Sequence, residues 1–164
     1  LVNNAGVLTN QKIEGTSSEE WRQVMAVNAD APMVWSRCVV PAMKRARWGR
    51  IVNVGSLAAK TGGLTAGTAY AVSKGAIAAL TLSLARELAP HGVTANAVAP
   101  AYVRTPMVTE GLTEAQRQAL LQQIPVGRFC EPEEFAHVVG FLVSPLSGFI
   151  TGEIIDLNGG LHMD

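Results

Sequence analysis

The sequence predicts an α/β protein built on a doubly wound parallel sheet. Three observations lead there. Strand-like and helix-like segments alternate along the chain, Ile51 to Val54 is too short and β-branched for anything but a buried strand, and the residues suited to chemistry fall just after the strands. In an open parallel sheet that is where ligands bind.

Taken in order, Leu1 to Asn4 is the end of a strand. Ser17-Ser18-Glu19-Glu20 supplies a capping box before a long helix running to about Ala46, with Trp21, Val24, Met25, Val34 and Trp35 among its apolar positions. Ile51 to Val54 is the next strand. A helix from about Ala69 to Ala89 meets its stop and turn at Pro90-His91-Gly92. Val93 to Val98 is a third strand, Glu131 to Leu142 a helix, and Glu153 to Leu157 the last strand. Between them, Met107 to Gln123, with Gly111 and many polar side chains, has the composition of a mobile helical flap. No internal repeat or linker divides residues 1–164.

Composition bounds the function. With 48% apolar and 16% charged residues among 164, the chain can bury one core. Thirteen basic and thirteen acidic residues cancel, so no global field favours nucleic acid or an anionic membrane. The cluster Lys44, Arg45, Arg47 and Arg50 reads as the charged end of a helix, where cations suit the dipole. No apolar run reaches the roughly 18 to 20 residues that would cross a bilayer, and no signal peptide is visible. Cys38 and Cys130 are far apart, as are His91, His137 and His162, so no metal-ligand spacing is present. Reduced core cysteines in a cytoplasmic protein are the expectation.

Tyr70 and Lys74 stand four residues apart on a predicted helix, so phenol and ammonium project from one face. A free tyrosine has a pKa of about 10, and an adjacent cation favours the phenolate and suits the group to acid or base work. Ser56, at the end of a strand, is placed to hold a carbonyl or alcohol oxygen against that phenol. Asn4 and Gly6 follow the first strand, Pro100 the third, and Asn158 and Gly159 the last. Each of these residue types also ends strands and makes turns for backbone reasons alone.

The motifs Leu1-Val2-Asn3-Asn4-Ala5-Gly6, Val27-Asn28-Ala29, Ile51-Val52-Asn53-Val54-Gly55-Ser56, Tyr70 to Lys74, and Asn96-Ala97-Val98-Ala99-Pro100 with Thr105-Pro106 follow one another in that order. Closing with Ile150-Thr151-Gly152 and Asn158-Gly159-Gly160, the set resembles the short-chain dehydrogenase/reductase family over essentially the whole chain. The branch resembled includes 3-oxoacyl-carrier-protein reductases and many alcohol, polyol and steroid dehydrogenases. The resemblance implies a Rossmann-like sheet and an NAD- or NADP-dependent oxidoreductase interconverting a carbonyl and a secondary alcohol. It also implies that residues 1–164 are the C-terminal two-thirds of one domain, incomplete at the N-terminus. The Gly-rich turn that would hold the pyrophosphate is absent from these residues, as is the residue that would choose between NAD and NADP.

By the same resemblance Tyr70 transfers the proton, Lys74 lowers the tyrosine pKa and binds the nicotinamide ribose, and Ser56 holds the substrate oxygen. Asn28, in a helix whose counterpart is locally distorted, binds a water that connects Lys74 to solvent. Asn4, Ala5 and Gly6 lie against the adenosine side of the cofactor, and Pro100, Ala101, Val103 and Thr105 against its nicotinamide side. Two departures stand out. Thirteen residues separate Ser56 from Tyr70, commonly one more than in the family, and Gly62 to Gly67 can absorb the extra residue. Ala101 stands where Pro-Gly is usual, which would strain a backbone of positive φ.

The resemblance further implies a homo-oligomer, tetramer or dimer, paired through the helix from Ala69 and its neighbour from about Ser18. The substrate stays open. A non-catalytic scaffold or inactive fragment is the alternative reading, and an epimerase or dehydratase is disfavoured because no sizeable C-terminal domain follows the sheet.

Overall fold

The computed structural model describes residues 1–163. Four parallel strands stand in the order of the chain, β1 (Val2–Asn3), β2 (Gly49–Val54), β3 (Val93–Pro100) and β4 (Ile154–Leu157). Parallel neighbours need crossovers, and helices provide them. α1 (Ser18–Met25) and α2 (Ala31–Ala46) join β1 to β2, and α3 (Ala58–Thr61) and α4 (Thr68–Leu88) join β2 to β3. α5 (Pro106–Thr109), α6 (Glu114–Leu121) and α7 (Pro132–Val143) join β3 to β4.

Alternate residues of the buried strands divide between two cores, as period-2 geometry requires. Ile51, Val93 and Ala95 pack with Ala85 and Leu88 of α4 and with Val40 and Met43 of α2. Val52 and Val98 point the other way, onto Leu142, Phe135 and Val139 of α7. This is the doubly wound arrangement expected. A third cluster, Val108, Leu120, Ile124 and Phe129, lies under Tyr102, Leu112 and Leu161 and gives the 107–123 segment a core of its own.

Several boundaries differ from the sequence reading. The long helix to Ala46 is interrupted by a π-helical turn over Ala26–Asp30, where the Ala31 N–H donates to the Ala26 carbonyl. Pro32 explains it: it has no N–H for the Asn28 carbonyl, and its ring would press on that carbonyl in a continuous α-helix. Ser17 caps α1 by accepting from the Glu20 N–H at 3.0 Å, yet Glu20 does not return the bond. Reciprocal boxes occur instead at Thr113/Gln116 and Glu131/Glu134.

Arg50 does not belong to a helix end. It lies in β2, buried, with its guanidinium donating to the carbonyls of Ser144, Gly49 and Pro145. The cysteines are both free, but Cys38 is exposed and Cys130 only half-buried, so neither is a core residue. The Thr68–His91 stretch is long and apolar enough to cross a membrane by length and composition, contrary to the sequence reading. Here it packs on the sheet through Ile77, Thr81, Ala85 and Leu88.

Candidate active site

Two cavities open at the C-terminal ends of the strands, and Ser56, Tyr70, Ala101, Met107 and Val108 line both. The larger, about 610 Å³, is lined by Asn4, Ala5, Gly6, Ser56, Tyr70, Lys74, Pro100, Ala101, Val103 and Thr105, together with Met107, Pro132 and Phe135. The smaller, about 110 Å³, also includes Ser56 and Tyr70 and is walled by side chains such as Leu8, Leu57, Leu64, Tyr102, Met107 and Leu112. Every predicted site residue except Asn28 therefore lines the larger cleft.

Local folding sets each group. Ser56 follows β2, where the Gly55 N–H donates to the Val98 carbonyl at 2.8 Å and the Ser56 Oγ accepts from the Ala58 N–H at 3.1 Å. Tyr70 lies in the first turn of α4 and lines the same cavities as Ser56. The additional residue between them is taken up in the 62–67 loop, where Gly62 and Gly63 have φ of 73° and 84°. Lys12 pins that loop by donating to the Gly63 and Ala66 carbonyls at 2.9 and 2.7 Å. Ala101 has no positive φ, since Arg47 is the only such non-glycine among the described residues. Its N–H donates to the Leu157 carbonyl at 3.1 Å, so the anticipated strain is absent.

Lys74 is buried, and its ammonium donates to the Val54 carbonyl at 2.8 Å. It also lies 5.6 Å from the centre of the Tyr70 ring. Burial holds its pKa down at about 8. Tyr70 is pushed upward by burial, and the neighbouring Ser56 hydroxyl works in the other direction. Burial is the larger influence on the phenol, and the Lys74 ammonium is turned to a backbone carbonyl.

Asn28 serves as a brace. Its Nδ2 donates to the Val7 carbonyl at 2.9 Å and to Ser73 Oγ at 3.0 Å, while its Oδ1 accepts from the Val7 N–H at 2.9 Å. Both amide hydrogens are committed to protein, which leaves Oδ1 as the side-chain atom able to take a further donor. Ser73 in turn donates to the Tyr70 carbonyl at 2.7 Å. The π-turn is thereby connected through Ser73 to the backbone of Tyr70. Sequence reasoning missed Ser73, although it lies between Tyr70 and Lys74, and Tyr102, whose position in a loop carried no periodic signal. Asn3 turns inward, donating to Asn53 Oδ1 at 2.8 Å, and Asn53 donates to Thr81 Oγ1 at 2.9 Å. Among the described residues no group of three His, Cys, Asp or Glu side chains could hold a metal ion.

A family model described as enoyl-(acyl carrier protein) reductase matches residues 1–162. The chain is 43% identical over 164 residues to the 3-oxoacyl-[acyl-carrier-protein] reductase FabG of Pseudomonas aeruginosa, covering 99% of this chain and 65% of that protein. It superposes with a TM-score of 0.95 and 37% identity on a crystal structure of 3-oxoacyl-[acyl-carrier protein] reductase from Brucella melitensis, covering 99% of this chain and 62% of the other. A Brucella melitensis structure of such a reductase with bound NAD gives a TM-score of 0.92 at 35% identity, over 99% and 62% of the two chains. The chain thus spans somewhat less than two thirds of the length of these relatives.

Proposed function

We propose, for a chain that belongs to the short-chain dehydrogenase/reductase family, that the whole protein reduces a carbonyl to a secondary alcohol with NADH or NADPH, in the manner of a 3-oxoacyl-carrier-protein reductase. The single observation that carries this reading is the pair Ser56 and Tyr70 lining both a large cleft and a small, mostly apolar pocket, with Lys74 in the wall of the larger. A reaction between a dinucleotide and a small carbonyl compound needs two such spaces with a proton donor where they meet.

The residues fit a nicotinamide dinucleotide. Gly6 lines the larger cleft with Asn4, Ala5 and Lys74, and a Cβ there would make ordinary contacts of 3.5 Å with Asn28 Oδ1 and 3.6 Å with Lys74 Nζ, filling space that glycine leaves open to the cleft. A nicotinamide held there would supply the hydride for the carbonyl carbon. Ser56 holds the substrate oxygen, and Tyr70 gives that oxygen its proton. A phenol kept protonated by burial is equipped to donate. Lys74 binds the ribose and restores the proton of Tyr70, and Asn28 Oδ1 accepts from a water on the route to solvent.

The assembly is a homo-oligomer, tetramer or dimer. Exposed Met33, Val34 and Trp35 on α2, with Val72 and Leu82 on α4, support pairing through these helices, and exposed Leu146 and Phe149 support a contact near the C-terminal strand. The reading is tested by incubating the whole protein with NADH or NADPH and a neutral 3-oxo ester. Loss of the reduced-nicotinamide absorbance with formation of the 3-hydroxy ester is expected. No turnover with either cofactor would refute it.

A further inference from the structure

The small pocket beyond Ser56 and Tyr70 has no Asp, Glu, Lys, Arg or His in its walls. A neutral substituent on the carbonyl carbon suits it, since a carboxylate or ammonium there would lose water and find no opposite charge. On the other side of Tyr102 is a further cavity of about 160 Å³, lined by Ile124, Val126, Arg128, Cys130 and Asn158 among others. Tyr102 is the only residue among those lining either cavity that belongs to both.

Three contacts hold that side chain in place. Its hydroxyl is hydrogen-bonded to Thr65 Oγ1 at 3.1 Å, which ties the loop after β3 to the 62–67 loop. Its ring packs on Phe129 with centroids 6.1 Å apart and planes at 50°. Its backbone carbonyl accepts from the Cys130 N–H at 3.0 Å. The ring is therefore supported at its tip, its face and its root, as a fixed wall would be.

We propose that Tyr102 is a specificity-determining residue: its ring partitions the substrate pocket from the adjoining cavity and so limits the length of neutral acyl or alkyl substituent that reaches Ser56 and Tyr70. This rests on the carbonyl-reductase reading above. Removing the ring joins the two spaces, and the added volume is partly apolar through Ile124, Val126 and Leu157. Longer chains then gain burial that shorter ones cannot use.

The test is a homologous series of 3-oxo esters of increasing alkyl length, assayed with the whole protein, its Tyr102→Ala variant and its Tyr102→Phe variant. Tyr102→Ala is expected to raise kcat/KM for the longest ester relative to the shortest by about tenfold or more, the scale on which a hydrophobic pocket distinguishes a methylene. Tyr102→Phe keeps the ring and is expected to keep the parent length profile. A merely structural role would lower kcat/KM equally at every length. Tyr102→Leu replaces the alanine variant should that one fail to fold. An active variant with the parent length profile overturns the proposal alone, whereas a parent inert to every ester overturns the functional reading beneath it as well.

Discussion

The Lys74 ammonium donates to the carbonyl of Val54 across 2.8 Å, joining the first half of α4 to the end of β2. Burial there costs free energy, because the charged form loses water and gains one backbone acceptor. The folded pKa of about 8 lies below the ordinary 10.5. Below about pH 8 both states carry the proton and the penalty is complete. Between about 8 and 10.5 the unfolded chain binds more protons than the folded one, so this residue's contribution to stability rises with pH.

Lys74→Met should therefore be more stable than the parent at neutral pH, by roughly 2 kcal/mol, while losing turnover and cofactor affinity. The advantage should shrink as pH rises through the 8 to 10.5 window. Denaturant midpoints of both proteins across that range check it, and an advantage that grew with pH would reverse the sign of the argument.

Tyr70→Phe removes the transferable proton while keeping the ring that lines both cavities. Carbonyl reduction should fall by about 10²–10⁴-fold with cofactor binding nearly intact. Steady-state kinetics alongside cofactor fluorescence titration separates the two. Substantial remaining activity would mean that another group is the acid.

Asn28→Ala deletes three hydrogen bonds, the one to Ser73 buried and the two to Val7 partly so, and leaves Val7 and Ser73 short of partners. A loss of roughly 2–4 kcal/mol is expected from groups left unpaired. Urea unfolding measures it, and a change within half a kcal/mol, on the scale of ordinary surface substitutions, would show that Asn28 is no brace.

Gly67→Ala places a methyl against the Gln11 carbonyl and 2.8 Å from the Thr9 carbonyl, both backbone atoms. The Gly67 N–H meanwhile donates to Thr9 at 2.7 Å, so the two segments cannot part freely. A cost of roughly 1–3 kcal/mol and reduced kcat follow, because Gly67 is the N-cap of α4, three residues before Tyr70. Unchanged melting temperature and kcat would contradict this.

Ala79 and Ser83 are exposed on α4, beside exposed Leu82. Ala79→Arg should dissociate an oligomer paired through that face, read by sedimentation velocity. A parent that sediments as a monomer with full activity would refute the assembly.

Much of this protein was legible in its residues. Alternating β-branched runs and helices determine the parallel sheet, since strands buried on both faces must be apolar throughout, and the Tyr70–Lys74 spacing determines that both side chains leave one helical face. Even the break in the first long helix has a local cause in Pro32. Tertiary structure alone decided the electrostatics and the partitions. Whether Lys74 reaches the Val54 carbonyl, and how far burial acts on Tyr70, depends on groups distant in the chain, Val54 lying twenty residues before Lys74. The same is true of Ala101, whose relaxed backbone depends on pairing with Leu157, and of Tyr102, which becomes a wall only when Thr65 and Phe129 close on it. Periodicity reports which face a side chain takes, whereas desolvation and contact are sums over everything that folds around it.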